Sequence, residues 1–347
     1  MIALVYEGPQ EMKLREVDVP TIAPDEVLVE VAYSGICGSE LSGYLGRNSL
    51  RRPPLVFGHE FSGRIAAVGE RAAGIKPGLR PGVRVTANPL VTCGTCRYCA
   101  AGAEQLCPSR KLLSAALPGS NAEYVAVPAR NVYALPDEVA LEQGALAEPI
   151  ACAARATELA QLGPDDDALV VGMGPIGIFA LQALRIRGAR RILVADTNPD
   201  RLAFARALGA ETIDPRAAET VEAVRTLTDG AGVAAAIDAV GSVATRDACI
   251  RAVAPGGAAL FVGLHEAESS LPVNHLVRNE VRVFGSFAYA VSHFETALEW
   301  LAQGKAGLAD GIVKAPLRDG AAWYERLIRD PGAVAKVLLT VSGEATE

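Results

Sequence analysis

The segment Ala168–Gly177, ALVVGMGPIG, constrains this chain more than any other. A short apolar run meets three glycines spaced G-x-G-x-x-G, and a helical pattern begins inside the motif. Strand, loop and helix in that order give the spacing its meaning. Gly172 permits the tight turn, Gly174 lets the backbone approach a pyrophosphate, and Gly177 lets helix and strand pack closely. The helix N-terminus then offers free N–H groups to the anion. Ile176, Phe179, Ala180, Ala183 and Leu184 follow at i, i+3, i+4, i+7 and i+8, which predicts a helix burying one stripe.

Short apolar strands and helices continue to alternate. RILVAD is a second strand. NPDRLAFARALG is a second helix, with Asn198 as its cap, Pro199 in its first turn and Gly209 at its end. AAAIDAVG and AALFVG repeat the pattern. Such a segment folds as an α/β unit, a doubly wound parallel sheet covered by helices on both faces. Its second strand ends at Asp196, 22 residues after Gly174. A carboxylate there accepts hydrogen bonds from ribose hydroxyls and repels a 2′-phosphate, which favours NAD over NADP. Arg201 stands close by and weakens that exclusion.

The flanks have a different rhythm. From Met1 to about Ala145 the chain reads as short strands broken by glycine and proline, among them VLVEVA (Val27–Ala32), RVTA, EYVAV and NVYALP. LEQGALAEPIACAARATELAQL is helical in composition. After about Phe287, a helix face at Phe294, Ala297, Leu298, Leu301 and Ala302 precedes a terminal strand, AKVLLTV. At 347 residues the chain is long enough for two cores. Its net charge of −7 argues against nucleic acid as a partner. The N-terminus lacks the basic and apolar segments of a signal peptide. The longest uncharged stretch, Ala168 to Leu184, is interrupted by glycine and proline and falls short of a membrane helix. The expectation is a soluble, cytoplasmic protein with no membrane partner.

CGTCRYCAAGAEQLC holds four of the seven cysteines, Cys93, Cys96, Cys99 and Cys107, spaced C-x2-C-x2-C-x7-C. In a reducing compartment such clustering points to metal rather than disulfides. Four thiolates suit a closed tetrahedral zinc, with Gly94 and Gly102 turning the loop, and an iron–sulfur cluster is the rival. A closed site leaves no position for substrate, so this metal would hold a lobe in shape. A quieter set lies upstream. GICGSE places Cys37 just after the strand Val27–Ala32, and FGHEFSG places His59 and Glu60 side by side. An open zinc site takes three protein ligands of mixed type, and Cys37, His59 and one carboxylate would fit. That carboxylate is Glu60 or Glu148 of LAEPIA. Each residue also has an ordinary reading, as a small buried thiol, a turn histidine or a helix-start acid.

In combination, GICGSE, GHEFSG, the four-cysteine lobe, the EP pair and VVGMGPIG follow the order and approximate spacing of the zinc-dependent medium-chain dehydrogenases. The chain resembles that family over nearly its whole length, and most of all its polyol, butanediol and threonine dehydrogenase branch. The resemblance implies a GroES-like β-rich catalytic domain, residues 1–150 and 287–347, with a structural zinc lobe at about 90–110, and a Rossmann NAD-binding domain, residues 151–286. It implies two zinc ions per chain. Cys37, His59 and Glu60 would hold the catalytic ion, with Glu148 an alternate ligand or bound through water, and Cys93, Cys96, Cys99 and Cys107 the structural one. Beyond Gly172, Gly174, Gly177 and Asp196, the implied cofactor contacts are Pro175, Ile176, Arg201, Val240, Gly263, Leu264, Ser286 and Phe287. Ser39 matches the hydroxyl that begins proton release. The implied reaction is reversible NAD-linked oxidation of a secondary alcohol to a ketone, with zinc as Lewis acid and hydride passed to the nicotinamide. Threonine-type amino-alcohol oxidation is the alternative. The family further implies a homodimer or homotetramer in which Rossmann edge strands pair.

Two positions depart from the pattern. Many relatives carry a histidine three residues after the relay hydroxyl, where this chain has Ser42. Sorbitol dehydrogenases end a segment like GSFAY with Arg-Tyr, and here the pair is Ala288-Tyr289, which argues against sorbitol and leaves Tyr289 as a pocket candidate. The arginines of LGRNSLRRP (Leu45–Pro53) could suit a phosphate or carboxylate, but a solvated surface is the preferred reading. His265, His275 and His293 fit no ligand spacing. Cys152 and Cys249 are expected in the core, and Trp300 and Trp323 in packing. Two other classes compete. A zinc-free double-bond reductase on the same scaffold is disfavoured by Cys37, His59 and Glu60 together, and a non-catalytic nucleotide-binding protein would need no open metal site.

Overall fold

The computed structural model describes residues 1–342. They form two compact units, one of Met1–Glu148 with the stretch from Ala290, the other of Pro149–Tyr289. The first junction falls inside the helix Ala147–Ala160, where composition carries no boundary signal.

The unit Pro149–Tyr289 is built on six parallel strands. Their order is Glu211–Ile213, Arg191–Ala195, Asp167–Val171, Val233–Asp238, Val253–Phe261 and Arg282–Gly285. Counted along the chain this is 3-2-1-4-5-6, the doubly wound dinucleotide-binding order. Asp167–Val171 is buried at every residue, as a strand covered on both faces must be. Asn198 caps the helix Pro199–Ala207 by accepting from the backbone N–H of Asp200 (2.9 Å) and Arg201 (3.3 Å). The helix Pro175–Ile186 departs from the single-stripe expectation. Ile176 is half-buried, whereas Gly177 to Leu181, Ala183 and Leu184 are all buried. Between Pro175 and Leu184 its sole polar side chain is Gln182, so it has no polar face to turn to water. Cys249 is in the core, but Cys152 is only half-buried. Cys152 and Arg155, one turn apart and both half-buried, mark the outward line of their helix.

The other unit is rich in strands. Before Leu141 its α-helices are short: Gly38–Tyr44, Ala72–Ile75 and Arg97–Ala100. The main sheet runs Val132–Ala134, Arg84–Ala87, Glu60–Val68, Glu26–Gly35, Lys336–Thr340 and Ile312–Pro316, with Tyr124–Pro128 also paired to Glu26–Gly35. Val27, Val29 and Val31 point inward while Leu28 and Glu30 are half-buried, the period-2 pattern of a strand. The strand Glu26–Gly35 pairs antiparallel with both Glu60–Val68 and Lys336–Thr340. Its register sets Gly35 opposite Glu60. A Cβ at Gly35 would overlap Glu60 Oε2 and Lys336 Cε, so glycine there leaves the room in which those two side chains meet. Tyr6, Tyr44, Phe57 and Tyr324 fill the adjoining core, Trp323 packs on it, and Trp300 is buried.

Candidate metal centres and cofactor loop

Cys37 lies two residues past the strand Glu26–Gly35 and caps the helix Gly38–Tyr44. His59 precedes, and Glu60 opens, the neighbouring strand Glu60–Val68. Two adjacent antiparallel strands thus carry the three residues to one end of the sheet. Their ligand atoms all lie within 4.8 Å of one another. Glu148 is buried but stands outside that group, where its charge acts on Lys336.

Glu40 organises the cluster. It is fully buried, and its Oε1 accepts from Gly58 N–H (2.8 Å), His59 Nδ1 (2.8 Å) and the Ser114 hydroxyl (2.6 Å). Its Oε2 accepts from the Tyr324 hydroxyl (2.9 Å) and Cys37 N–H (3.3 Å). With Nδ1 engaged, His59 presents Nε2 to a ligand. Burial pushes the Glu40 carboxyl up, but His59, Arg51 and Ser114 outweigh it and hold the group well below the carboxylate range. Burial likewise pulls the His59 imidazolium down, and the charges of Glu40 and Cys37 hold it well above its ordinary value. A metal taking Nε2 therefore displaces a proton. Lys336, fully buried, pairs with Glu60 Oε2 and donates to Ile36 O (3.0 Å). Burial lowers its pKa, but Glu60, Cys37 and Glu148 together raise it above the ordinary value.

Ser39 donates to Cys37 Sγ (3.3 Å) and accepts from Arg51 Nη2 (3.1 Å). Arg51 corrects the surface reading of its loop. Arg47 and Arg52 are exposed, but Arg51 is 4% exposed. The absence of a side chain at Gly43 gives the arginine stem its place, and the guanidinium carbon lies 5.7 Å from the Phe57 ring centre. Glu40, Arg51, Tyr324 and Lys336 were not selected by motif reasoning. Only Glu40 carries a local signal, three residues after Cys37; Tyr324 and Lys336 come from the far end of the chain.

The four cysteines of the lobe are reduced and clustered. Sulfur separations are 3.6 Å for Cys107–Cys93, 3.5 Å for Cys96–Cys99 and 3.9 Å for Cys93–Cys99. Four thiolates at ~2.3 Å from one tetrahedral ion stand ~3.8 Å apart, so the set fits a single zinc. Backbone N–H groups at Thr95 and Cys96 lower the Cys93 thiol to about 6, while burial and the Cys96 thiol raise Cys99 to about 11. Among the described residues, His265, His275 and His293 join neither cluster.

The glycine loop has the shape its motif requires. Gly172 sits at φ +92°, and a Cβ on Gly177 would overlap the Gly172 carbonyl. A Cβ on Gly174 would meet nothing within 4 Å, so open space faces the loop on the side where the motif would receive a pyrophosphate. Pro175 opens the helix. Asp196 Oδ2 accepts from Met173 N–H (2.6 Å), its Oδ1 from Asn198 N–H (2.7 Å), and Arg201 stands 3.9 Å away. Val240 N–H donates to Asp238 Oδ1 (2.9 Å), Gly263 N–H to Asp238 O (3.0 Å) and Ser286 N–H to Phe261 O (2.9 Å). Val240, Gly263, Leu264, Ser286 and Phe287 therefore line up past the carboxyl ends of their strands, with the Leu264 and Phe287 side chains exposed. A concavity of about 540 Å³ at the opposite edge, bordered by Asp167, Arg190 and Arg191, contains none of these residues. Tyr289 is buried. No helix among the described residues is long and apolar enough to cross a membrane.

The chain is similar to known proteins over nearly its whole length. Residues 23–137 match the alcohol dehydrogenase GroES-like domain and residues 175–303 the zinc-binding dehydrogenase domain. Sorbitol dehydrogenase of Bacillus subtilis is 35% identical over 88% of this chain and 86% of its own length. D-arabitol-phosphate dehydrogenase of Enterococcus avium is 32% identical over 97% of this chain and 96% of its own. The crystal structure of galactitol-1-phosphate dehydrogenase from Escherichia coli superposes with a TM-score of 0.90 at 29% identity, covering 98% of this chain and 100% of that one.

Proposed function

This chain belongs to the zinc-dependent medium-chain alcohol dehydrogenase family, and on that premise we propose that it oxidises a secondary alcohol of a polyol or sugar-alcohol derivative to a ketone, reversibly and with NAD. The observation that carries the reading is the convergence of Cys37, His59 and Glu60, three ligands of mixed type, in a chain that also presents an open glycine loop. Zinc bound by those three residues would supply Lewis acidity toward an alcohol oxygen, and NAD bound at the loop would accept the hydride. The protein's own groups do the rest. Glu40 fixes the tautomer and direction of His59. Ser39 Oγ stands at the cluster, where it can take up or return the hydroxyl proton. Lys336 balances the charge of Glu60, the carboxylate that clusters with Cys37 and His59. Cys93, Cys96, Cys99 and Cys107 would hold a second, closed zinc that shapes the lobe.

NAD is the preferred dinucleotide in this reading because Asp196 is anchored by two backbone N–H groups at the strand end and a 2′-phosphate would meet its charge. The strand Arg282–Gly285 ends the parallel sheet with exposed Val283, which suits pairing with the same strand of a second copy. The names of the relatives span free and phosphorylated polyols. The test combines metal analysis with a panel of diols, pentitols, hexitols, their phosphates and threonine, each with NAD and NADP. Two zinc ions per chain are expected, one lost with the activity in Cys37→Ser and the other lost in Cys93→Ser. Retention of both ions by Cys37→Ser, or no dinucleotide reduction with any member of the panel, would overturn the reading.

A further inference from the structure

Arg51 is a buried cation with unused hydrogen-bonding capacity beside the proposed reaction centre. A guanidinium carries five N–H donors in a fixed fork. Among the described residues that of Arg51 finds one acceptor, Ser39 Oγ at 3.1 Å, and its Nε has no partner. Glu40 offsets its charge but offers it no hydrogen bond. Both oxygens of Glu40 are already occupied by His59, Gly58, Ser114, Tyr324 and Cys37. A buried charge is expensive unless it is paired and hydrogen-bonded, and a guanidinium suits the planar or tetrahedral oxygens of a carboxylate or phosphate. Ser39, which Arg51 touches, is itself 3.3 Å from Cys37 Sγ, so an anion on Arg51 would be next to the alcohol being oxidised.

Resting on the dehydrogenase reading above, we propose that Arg51 is an anion subsite, which makes the preferred substrate a sugar alcohol bearing a phosphate or carboxylate. An alcohol oxygen on Ser39 and an anion oxygen on Arg51, each at hydrogen-bond distance, place the charged group within about three carbons of the reacting carbinol. Gly43 is part of the same device, because a methyl group there would displace the Arg51 stem without removing its charge.

The test measures binding and turnover separately. Zinc-loaded wild type, Arg51→Met, Arg51→Lys and Gly43→Ala are titrated calorimetrically with ribitol, ribitol 5-phosphate and ribonate, and kcat/KM is measured for the same three compounds with NAD. Wild type is expected to bind at least one anionic compound tenfold or more tighter than ribitol, the two anions distinguishing phosphate from carboxylate. In Arg51→Met the anionic-to-neutral ratio should fall by about 10- to 100-fold, chiefly through KM, with Arg51→Lys and Gly43→Ala between. Melting temperature and zinc content identify a folding defect in the methionine variant, in which case the lysine and alanine variants decide. Equal binding of ribitol and both anions by wild type, or a ratio that no folded variant changes, overturns the subsite. Anion binding that depends on Arg51 without any NAD reduction upholds the subsite and overturns the dehydrogenase reading instead.

Discussion

Replacing Glu40 with glutamine keeps the volume and removes the charge that orders the Cys37–His59–Glu60 cluster. The carboxylate accepts five hydrogen bonds, from Gly58, His59, Ser114, Tyr324 and Cys37. A glutamine amide has two N–H donors at one end, so whichever way it turns it meets at least two groups that also donate. Bonds to a charged acceptor contribute ~1.5–3 kcal/mol each against ~1 kcal/mol for neutral ones, and the buried Arg51 loses the charge that offsets its own. The loss comes to ~3–5 kcal/mol, a large share of the ~5–15 kcal/mol by which a native domain is stable. His59 also loses the partner that aims Nε2, for which losses of about 10- to 100-fold in metal affinity are typical. Urea unfolding and zinc competition with a chromophoric chelator measure the two effects. Glu40→Gln should unfold at lower urea and release one zinc much more readily, while the four-cysteine zinc is retained. Wild-type affinity for both ions in Glu40→Gln would show that His59 is aimed by something other than Glu40.

Other outcomes follow from the same geometry. Gly177→Ala forces a methyl group onto the Gly172 carbonyl, and NADH fluorescence titration should show at least a tenfold weaker dinucleotide. In chelator-treated protein, Cys93 should react first with iodoacetamide, since backbone N–H groups lower its thiol to about 6; the thiolate, and hence the rate, rises above that pH and disappears below it. Zinc should suppress the labelling, as mass spectrometry of the peptide would show. Val283→Arg puts charge on the exposed edge strand and should halve the particle mass found by light scattering.

The glycine loop and the alternation of strand and helix were legible because they depend on local spacing. Gly172, Gly174 and Gly177 state their roles within six residues. The clustering of the four cysteines was legible for the same reason. Cys37, His59 and Glu60 were legible only in combination, since each has an ordinary reading alone. Glu40, Tyr324 and Lys336 lay beyond such reasoning. Their function depends on which strands pair, and Lys336 reaches Ile36 across 300 residues. The inward turn of Arg51 was equally hidden. Arg47, Arg51 and Arg52 share one polar loop, and only the gap over Gly43 singles out the middle one. The single-stripe expectation for Pro175–Ile186 failed because periodicity identifies one buried face and cannot exclude a second.

The pairing of Glu26–Gly35 with Lys336–Thr340 also sets an order of events during synthesis. Cys37, His59 and Glu60 emerge from the ribosome early, yet Tyr324 and Lys336 are among the last residues translated. Until then Glu40 lacks one of its hydrogen-bond donors and Glu60 lacks its counter-ion. The whole Pro149–Tyr289 unit, compact in itself, is made in the interval and can fold first. On the function proposed above, a nascent chain would be able to bind its dinucleotide before it could complete the Cys37–His59–Glu60 site. A product truncated before residue 324 would keep the cofactor fold while lacking the groups that finish that site.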